Sequence, residues 1–253
     1  MKPPVHLAYK TAVSPKPKTV LSWSSGKDSA YSLHVLRERG ELEVVGLLTT
    51  INAEAERVAM HAVRVELLRR QAEAAGLPLS IVELPHPCTN EEYARRMGAW
   101  VEQARSEGVE RVAFGDLFLE DIRAYREAQL AGTGLEPVFP LWGRETGALA
   151  REMLDAGIVA HLTCIDPRVL AKEFVGRQWD AELIAELPED VDPCGENGEF
   201  HSFVSAAPCF SHPVEVALGE VVERGGFVFR DLLPGGSNDP NAASSRGSTS
   251  SSC

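Results

Sequence analysis

Apolar residues come in short bursts through the first half of the chain, separated by longer stretches where they recur every three or four positions. The bursts at 20–23, 44–48, 79–84 and 111–114 have the length and composition of buried strands. Between them the period turns helical. Residues 30–36 form the first such stretch. Val58, Ala62, Val65, Ala72 and Ala75 predict a second helix, stopped by Gly76 and Pro78. Thr89 and Glu92 make a capping box that opens a third, with Tyr93, Met97, Trp100, Val101 and Ala104 on one face before Gly108 ends it. Strand–helix repetition in this rhythm predicts an α/β fold, a Rossmann-like parallel sheet with helices on both faces. In such sheets crossovers are right-handed and ligands sit at the carboxyl ends of the strands. The ends of strand one, strand two (Thr49, Thr50) and strand four (Gly115, Asp116) should therefore open onto one crevice.

The rhythm changes near residue 134. A helix at 146–156, a strand at 158–164 and two strands around Gly225-Gly226 predict a smaller α+β domain. The expected layout is a flexible Pro-rich arm at 1–18, a nucleotide domain at 19–134, the second domain at 135–233 and a disordered Ser/Gly/Asn-rich tail at 234–253.

The chemistry concentrates where the first strand stops, at Ser24-Ser25-Gly26-Lys27-Asp28-Ser29. A strand, a tight hydroxyl- and glycine-containing turn and a helix N-terminus together make an anion cradle. Unpartnered first-turn N–H groups, the helix dipole and Lys27 all favour phosphate there. It is not a Walker A loop, because Leu21 stands where the first glycine belongs and Asp28 separates Lys27 from Ser29. Nor does it contain the Gly-x-Gly-x-x-Gly dinucleotide fingerprint.

The loop instead resembles the Ser-Gly-Gly-x-Asp-Ser turn of the PP-loop ATP pyrophosphatases, with Ser25 replacing a glycine. Three more segments narrow the resemblance. They are Gly115-Asp116 with Arg123 and Arg126 downstream, Pro140-Leu141-Trp142-Gly143-Arg144, and the block from Cys194 through Gly195, Glu196, Asn197, Gly198 and Glu199 to Ser202. Taken in order from Val20 to Pro213, the four motifs are similar to those of the diphthine–ammonia ligase family. The resemblance implies an adenine-nucleotide α-hydrolase-like (HUP) domain with a family-specific C-terminal domain. It implies a ligase that adenylates a carboxylate, releases pyrophosphate, and lets ammonia displace AMP to form an amide.

On that reading ATP is bound by Ser24, Ser25, Gly26, Lys27, Asp28, Ser29, Thr49, Gly115, Asp116 and Arg144. Lys27, Asp28, Glu196 and Glu199 carry catalysis, and Asp28, a carboxylate within the loop, is the candidate ligand for Mg2+. On the turn alone, solvated acids are the plainer reading; with the resemblance, Glu196 and Glu199, with His201 nearby, hold ammonium, orient an amine or take its proton. Arg144 either contacts phosphate or packs on Trp142. One of Arg123 and Arg126 faces the nucleotide, or both are solvated beside Glu127. His61, three residues before Arg64, and His86 beside Cys88 read as surface or loop positions.

Composition trims the alternatives. The 253 residues carry a net charge of −12, which argues against nucleic acid as a partner. No apolar run approaches the ~20 residues of a membrane span, and the N-terminus has no signal-peptide core, so a cytoplasmic protein without membrane partners is expected. The cysteines number five, with no Cys-x-x-Cys pair, and fit free thiols. The expected partners are ammonia and a carboxylate, small-molecule or protein-borne, and a homodimer is compatible. Only the core of the larger family members is expected in this chain. Arg outnumbers Lys 19 to 6, a usage that suits a GC-rich bacterial genome, where diphthine itself would be absent. Two other functions stay open: a non-catalytic adenine-nucleotide-binding regulatory module, and a sulfur-transfer PP-loop enzyme acting on RNA.

Overall fold

The computed structural model describes residues 15–52, 63–85 and 87–235, and residues 57–58 through the main chain. His61 and His86, the residues before 15 and those after 235 lie outside the described residues. β1 (Lys18–Ser22) runs into α1 (Lys27–Arg39), which Gly40 ends in a left-handed turn at φ 62°. β2 (Glu43–Asn52), β3 (Arg57–Val58), α2 (Val65–Ala75) and β4 (Leu79–Leu84) follow. α3 (Asn90–Ser106), β5 (Arg111–Ala113), α4 (Glu120–Leu130) and β6 (Glu136–Val138) complete the first layer.

β4, β2, β1, β5 and β6 pair side by side and all parallel, as the alternating pattern requires. Two details differ from the sequence pattern. Val58 belongs to β3, which pairs antiparallel with Ile51 and Asn52 of β2, so α2 starts only at Val65. The helical spacing of Val58 is incidental; a β-branched residue at a free strand edge finds a partner in the ladder. The sheet also extends past residue 134 to β6, where Pro137 is tolerated because an edge strand can spare an N–H. Thr89 caps α3 as expected, its hydroxyl accepting from the Glu92 N–H at 3.2 Å.

The second layer comprises α5 (Thr146–Asp155), β7 (Val159–Ile165), a 3-10 turn (Lys172–Phe174), β8 (Gln178–Trp179), α6 (Ala181–Glu186), β9 (Phe200–Ala206), β10 (Val216–Arg224) and β11 (Phe227–Pro234). β7 pairs antiparallel with β8, β9 and β11, and β10 closes the hairpin onto β11. One continuous apolar core joins the two layers, from Leu21 and Leu47 through Leu33 and Leu67 on α1 and α2 to Leu162, Phe203 and Val204. On the far face of the first sheet, Trp100, Ala104, Val112 and Leu130 form a separate cluster under α3 and α4. Among the described residues no helix is long and apolar enough to cross a membrane.

Candidate active site

The turn after β1 is built under tension. Ser25 adopts φ 71°, the only non-glycine among the described residues with a positive φ, and its buried hydroxyl has no hydrogen-bond partner. The serine thus holds a backbone conformation that glycine adopts readily. The conformation is fixed from behind. Gln71 on α2 is fully buried; its Oε1 accepts from Trp23 Nε1 at 3.0 Å, and its Nε2 donates to Ser25 O at 3.1 Å and Val204 O at 2.6 Å. The Val204 N–H donates to the same Ser25 carbonyl at 3.0 Å. The loop is therefore stapled to α2 and to β9 together.

In front of the turn lies a cavity of about 520 Å³. Ser24, Lys27, Asp28, Ser29, Thr49, Gly115, Asp116 and Glu196 all line it, so the strand ends do meet in one crevice. Gly26 caps α1 with no side chain to offer the first turn, whose N–H groups suit an anion. Gly115 is required by proximity: a Cβ there would stand 3.1 Å from the Asp28 carbonyl carbon and 3.2 Å from the Ser29 nitrogen. Thr49 donates its hydroxyl to Trp23 O at 2.6 Å and holds β2 against the loop.

The structure distributes the other expected residues unevenly. Ser25 and Gly26 shape the turn but do not line the cavity. Arg144 is away from it, its guanidinium on the Glu152 carboxylate, which also accepts from the Tyr31 hydroxyl. Glu199 is buried behind the cavity wall, its Oε1 accepting from Asp192 N and Asn197 Nδ2, both at 3.0 Å. Arg123 stacks on Phe139 and Trp142 and pairs with Glu127, whereas Arg126 faces the cavity.

Lys27 lines the cavity, yet its ammonium is spent on the protein. Nζ donates to Asp28 Oδ1 and Oδ2 at 3.0 and 2.9 Å and to the Cys194 carbonyl, between the rings of Trp179 and Phe200. Burial lowers its pKa, but Asp28, Cys194 and Glu196 together more than offset that and the net shift is upward. Burial likewise pushes up the carboxyls of Asp28, against Lys27, and of Asp116, against Arg126. Glu196 is raised to about 7, first by burial and then by Asp28 and Asp116, although the Leu117 N–H donates to its Oε1 at 2.7 Å. Burial and then Lys27 hold His201 down at about 4, so it is neutral at pH 7.

Comparison with known proteins decides the family. Residues 17–136 match the diphthamide synthase N-terminal domain and residues 145–228 the diphthamide synthase C-terminal domain. A diphthine–ammonia ligase of Homo sapiens is 26% identical over 79% of this chain and 82% of its own length. One of Danio rerio is 30% identical over 60% of this chain, which spans 65% of that protein's length. The chain belongs to the diphthine–ammonia ligase family. A solved U34-tRNA thiolase from Methanococcus maripaludis aligns over 58% of this chain and 60% of its own, at 16% identity and a TM-score of 0.36.

This member of the family of ATP-dependent amide-forming ligases has site features that the sequence pattern did not disclose. Tyr93, Met97 and Trp100, spaced as a core face of α3, also wall the cavity together with Leu119, Ile122 and Tyr125. Gln71 carried no motif; a polar residue at a buried helical position was the available signal. A nucleotide fits the open first turn of α1, the Gly115 approach and the apolar wall. Among the described residues no group of three or more His, Cys, Asp or Glu is set to hold a metal by itself. Magnesium bound through phosphates needs only one or two carboxylates; Asp28 and Asp116 line the cavity, Asp28 with both oxygens on Lys27.

Proposed function

We propose that the protein is an ATP pyrophosphatase-type ligase that adenylates a carboxylate and amidates the product with ammonia. The observation that carries this reading is the convergence, in one cavity, of the Ser24–Ser29 turn with Glu196, a carboxyl raised to about 7. ATP lies with its base on the apolar wall of α3 and α4 and its outer phosphates on the first turn of α1. The substrate carboxylate attacks the α phosphorus, the bond to the β-phosphate oxygen breaks, and pyrophosphate leaves. Ammonia then attacks the acyl carbon and AMP departs with the carboxylate-derived oxygen.

Ammonia arrives protonated at neutral pH, so the second step needs a base. Glu196 suits it, because a base with a pKa near the working pH combines availability with driving force. Glu199 works from behind, fixing the turn that presents Glu196. Lys27 holds Asp28 and the Cys194 carbonyl in place and lends its charge to the field of the site. Sulfur transfer finds no support in the cavity: burial pushes the Cys194 thiol up to about 12, and a thiol is a poor nucleophile. The ligase works in the cytoplasm on a carboxylate, free or protein-borne.

Incubation with ATP, magnesium, an ammonium salt and candidate carboxylates should release AMP and pyrophosphate in step with amide formation. Formation of ADP and orthophosphate instead would overturn the α-phosphate assignment. Turnover should climb with pH through about 7 as Glu196 loses its proton, then level. Glu196→Gln should abolish that limb and lower turnover by about 10²-fold or more, with ATP affinity nearly kept. A variant that retains the limb would remove Glu196 as the base.

A further inference from the structure

The cavity is lined by three carboxylates, Asp28, Asp116 and Glu196, against two basic side chains of permanent charge, Lys27 and Arg126. A polyphosphate entering it needs a cation whose donors are free to turn toward it. Lys27 fails that requirement, since Asp28 and the Cys194 carbonyl already hold its Nζ inside an aromatic clamp. Freeing it would strip Asp28 of its partner while that carboxylate faces the incoming phosphates.

Arg126 is held much more loosely. Its Nε stands 3.5 Å from Asp116 Oδ2, and both atoms are buried without a hydrogen-bond partner. Its guanidinium lies 5.0 Å from the Phe114 ring centroid, a flat support that orients the group without using any N–H. The two groups form an ion pair too long for a good hydrogen bond, and an incoming acceptor can complete what that geometry leaves open. The position is also right. Asp116 follows Gly115, whose main chain packs on the Asp28–Ser29 peptide in the first turn of α1.

We propose that Arg126, and not Lys27, is the side chain that binds the nucleotide's phosphates, with Asp116 and Phe114 holding the guanidinium ready while the cavity is empty. Lys27 is the cation that positions the turn. This inference rests on the ATP-binding reading above and adds the residue that meets the anion.

Binding of ATP and of adenosine to the full-length protein, measured by calorimetry, tests the assignment. Arg126→Ala should weaken ATP about ten-fold or more, the scale of a lost charge-assisted contact, and leave adenosine within about two-fold. Arg126→Lys should recover part of the ATP affinity, since the charge remains but the planar fork does not. Unchanged adenosine binding shows that the cavity is intact, which a role confined to folding would not predict. The inference is overturned if Arg126→Ala binds ATP like the parent protein, or loses ATP and adenosine to the same degree. If the parent protein binds no ATP at all, the ligase reading falls instead.

Discussion

Ser25 shows how one residue can carry conflicting demands. Its φ of 71° belongs to glycine, its hydroxyl is buried unsatisfied, and the turn keeps this geometry because Gln71 and Val204 hold its carbonyl. A non-glycine residue in this region costs about 1–2 kcal/mol, and the entropy of a new glycine offsets roughly half of that. Ser25→Gly should therefore raise stability by about 0.5–1 kcal/mol, or about 1–4 °C in Tm, with ATP binding kept. A lower melting temperature would mean that the hydroxyl is satisfied in a way the geometry does not show. The loop motif and its place after a strand could be read from the sequence, but the left-handed backbone of its serine could not. Serine seldom adopts that conformation, and only contacts from distant segments hold it there.

At the scale of elements, α2 and β9 do more for the site than their patterns suggest. Replacing Gln71 by Leu removes three hydrogen bonds and leaves the Trp23 indole N–H without its acceptor. A loss of roughly 2–4 kcal/mol is expected, given about 1 kcal/mol for each bond and more for a stranded buried donor; chemical denaturation measures it. A loss under half a kcal/mol would show that the staple is idle. β9 brings in His201, whose folded pKa of about 4 lies below the ordinary value near 6.5. The unfolded chain thus binds more protons between those values, so this residue's contribution to stability is present above pH 6.5 and is lost as pH falls toward 4. His201→Gln should flatten that part of the stability–pH curve, read as Tm against pH. Strand and helix identities were legible where the period was long. The boundary of α2 was not, because Val58 satisfies a helical spacing and a strand edge equally well.

Across the whole molecule, the second layer helps to wall the cavity in front of the turn. β9 supplies Ser202, whose hydroxyl accepts from the Lys27 N–H at 3.3 Å, and the preceding turn supplies Glu196 and the Cys194 carbonyl. A fragment ending near residue 144 would leave α1 and α2 without the apolar partners they share with β7 and β9. It should fail to bind ATP and should show the exposed apolar surface of an expanded state, detectable as dye binding. A fragment that binds ATP like the full chain would show that the turn holds its shape alone.

The sequence by itself determined the α/β alternation, the Ser- and Gly-containing turn between β1 and α1 and the family, because periodicity and short motifs are local properties of a chain. Tertiary structure decided which charged groups face the cavity and which are held by the protein. It turned Lys27 inward onto Asp28, set Arg144 on Glu152, put Glu199 behind Glu196 and left Arg126 facing the cavity. Burial and long-range partners set much of this: the bonds of Glu196 to Leu117 and of Lys27 to Cys194 span 79 and 167 residues, and no local pattern encodes them.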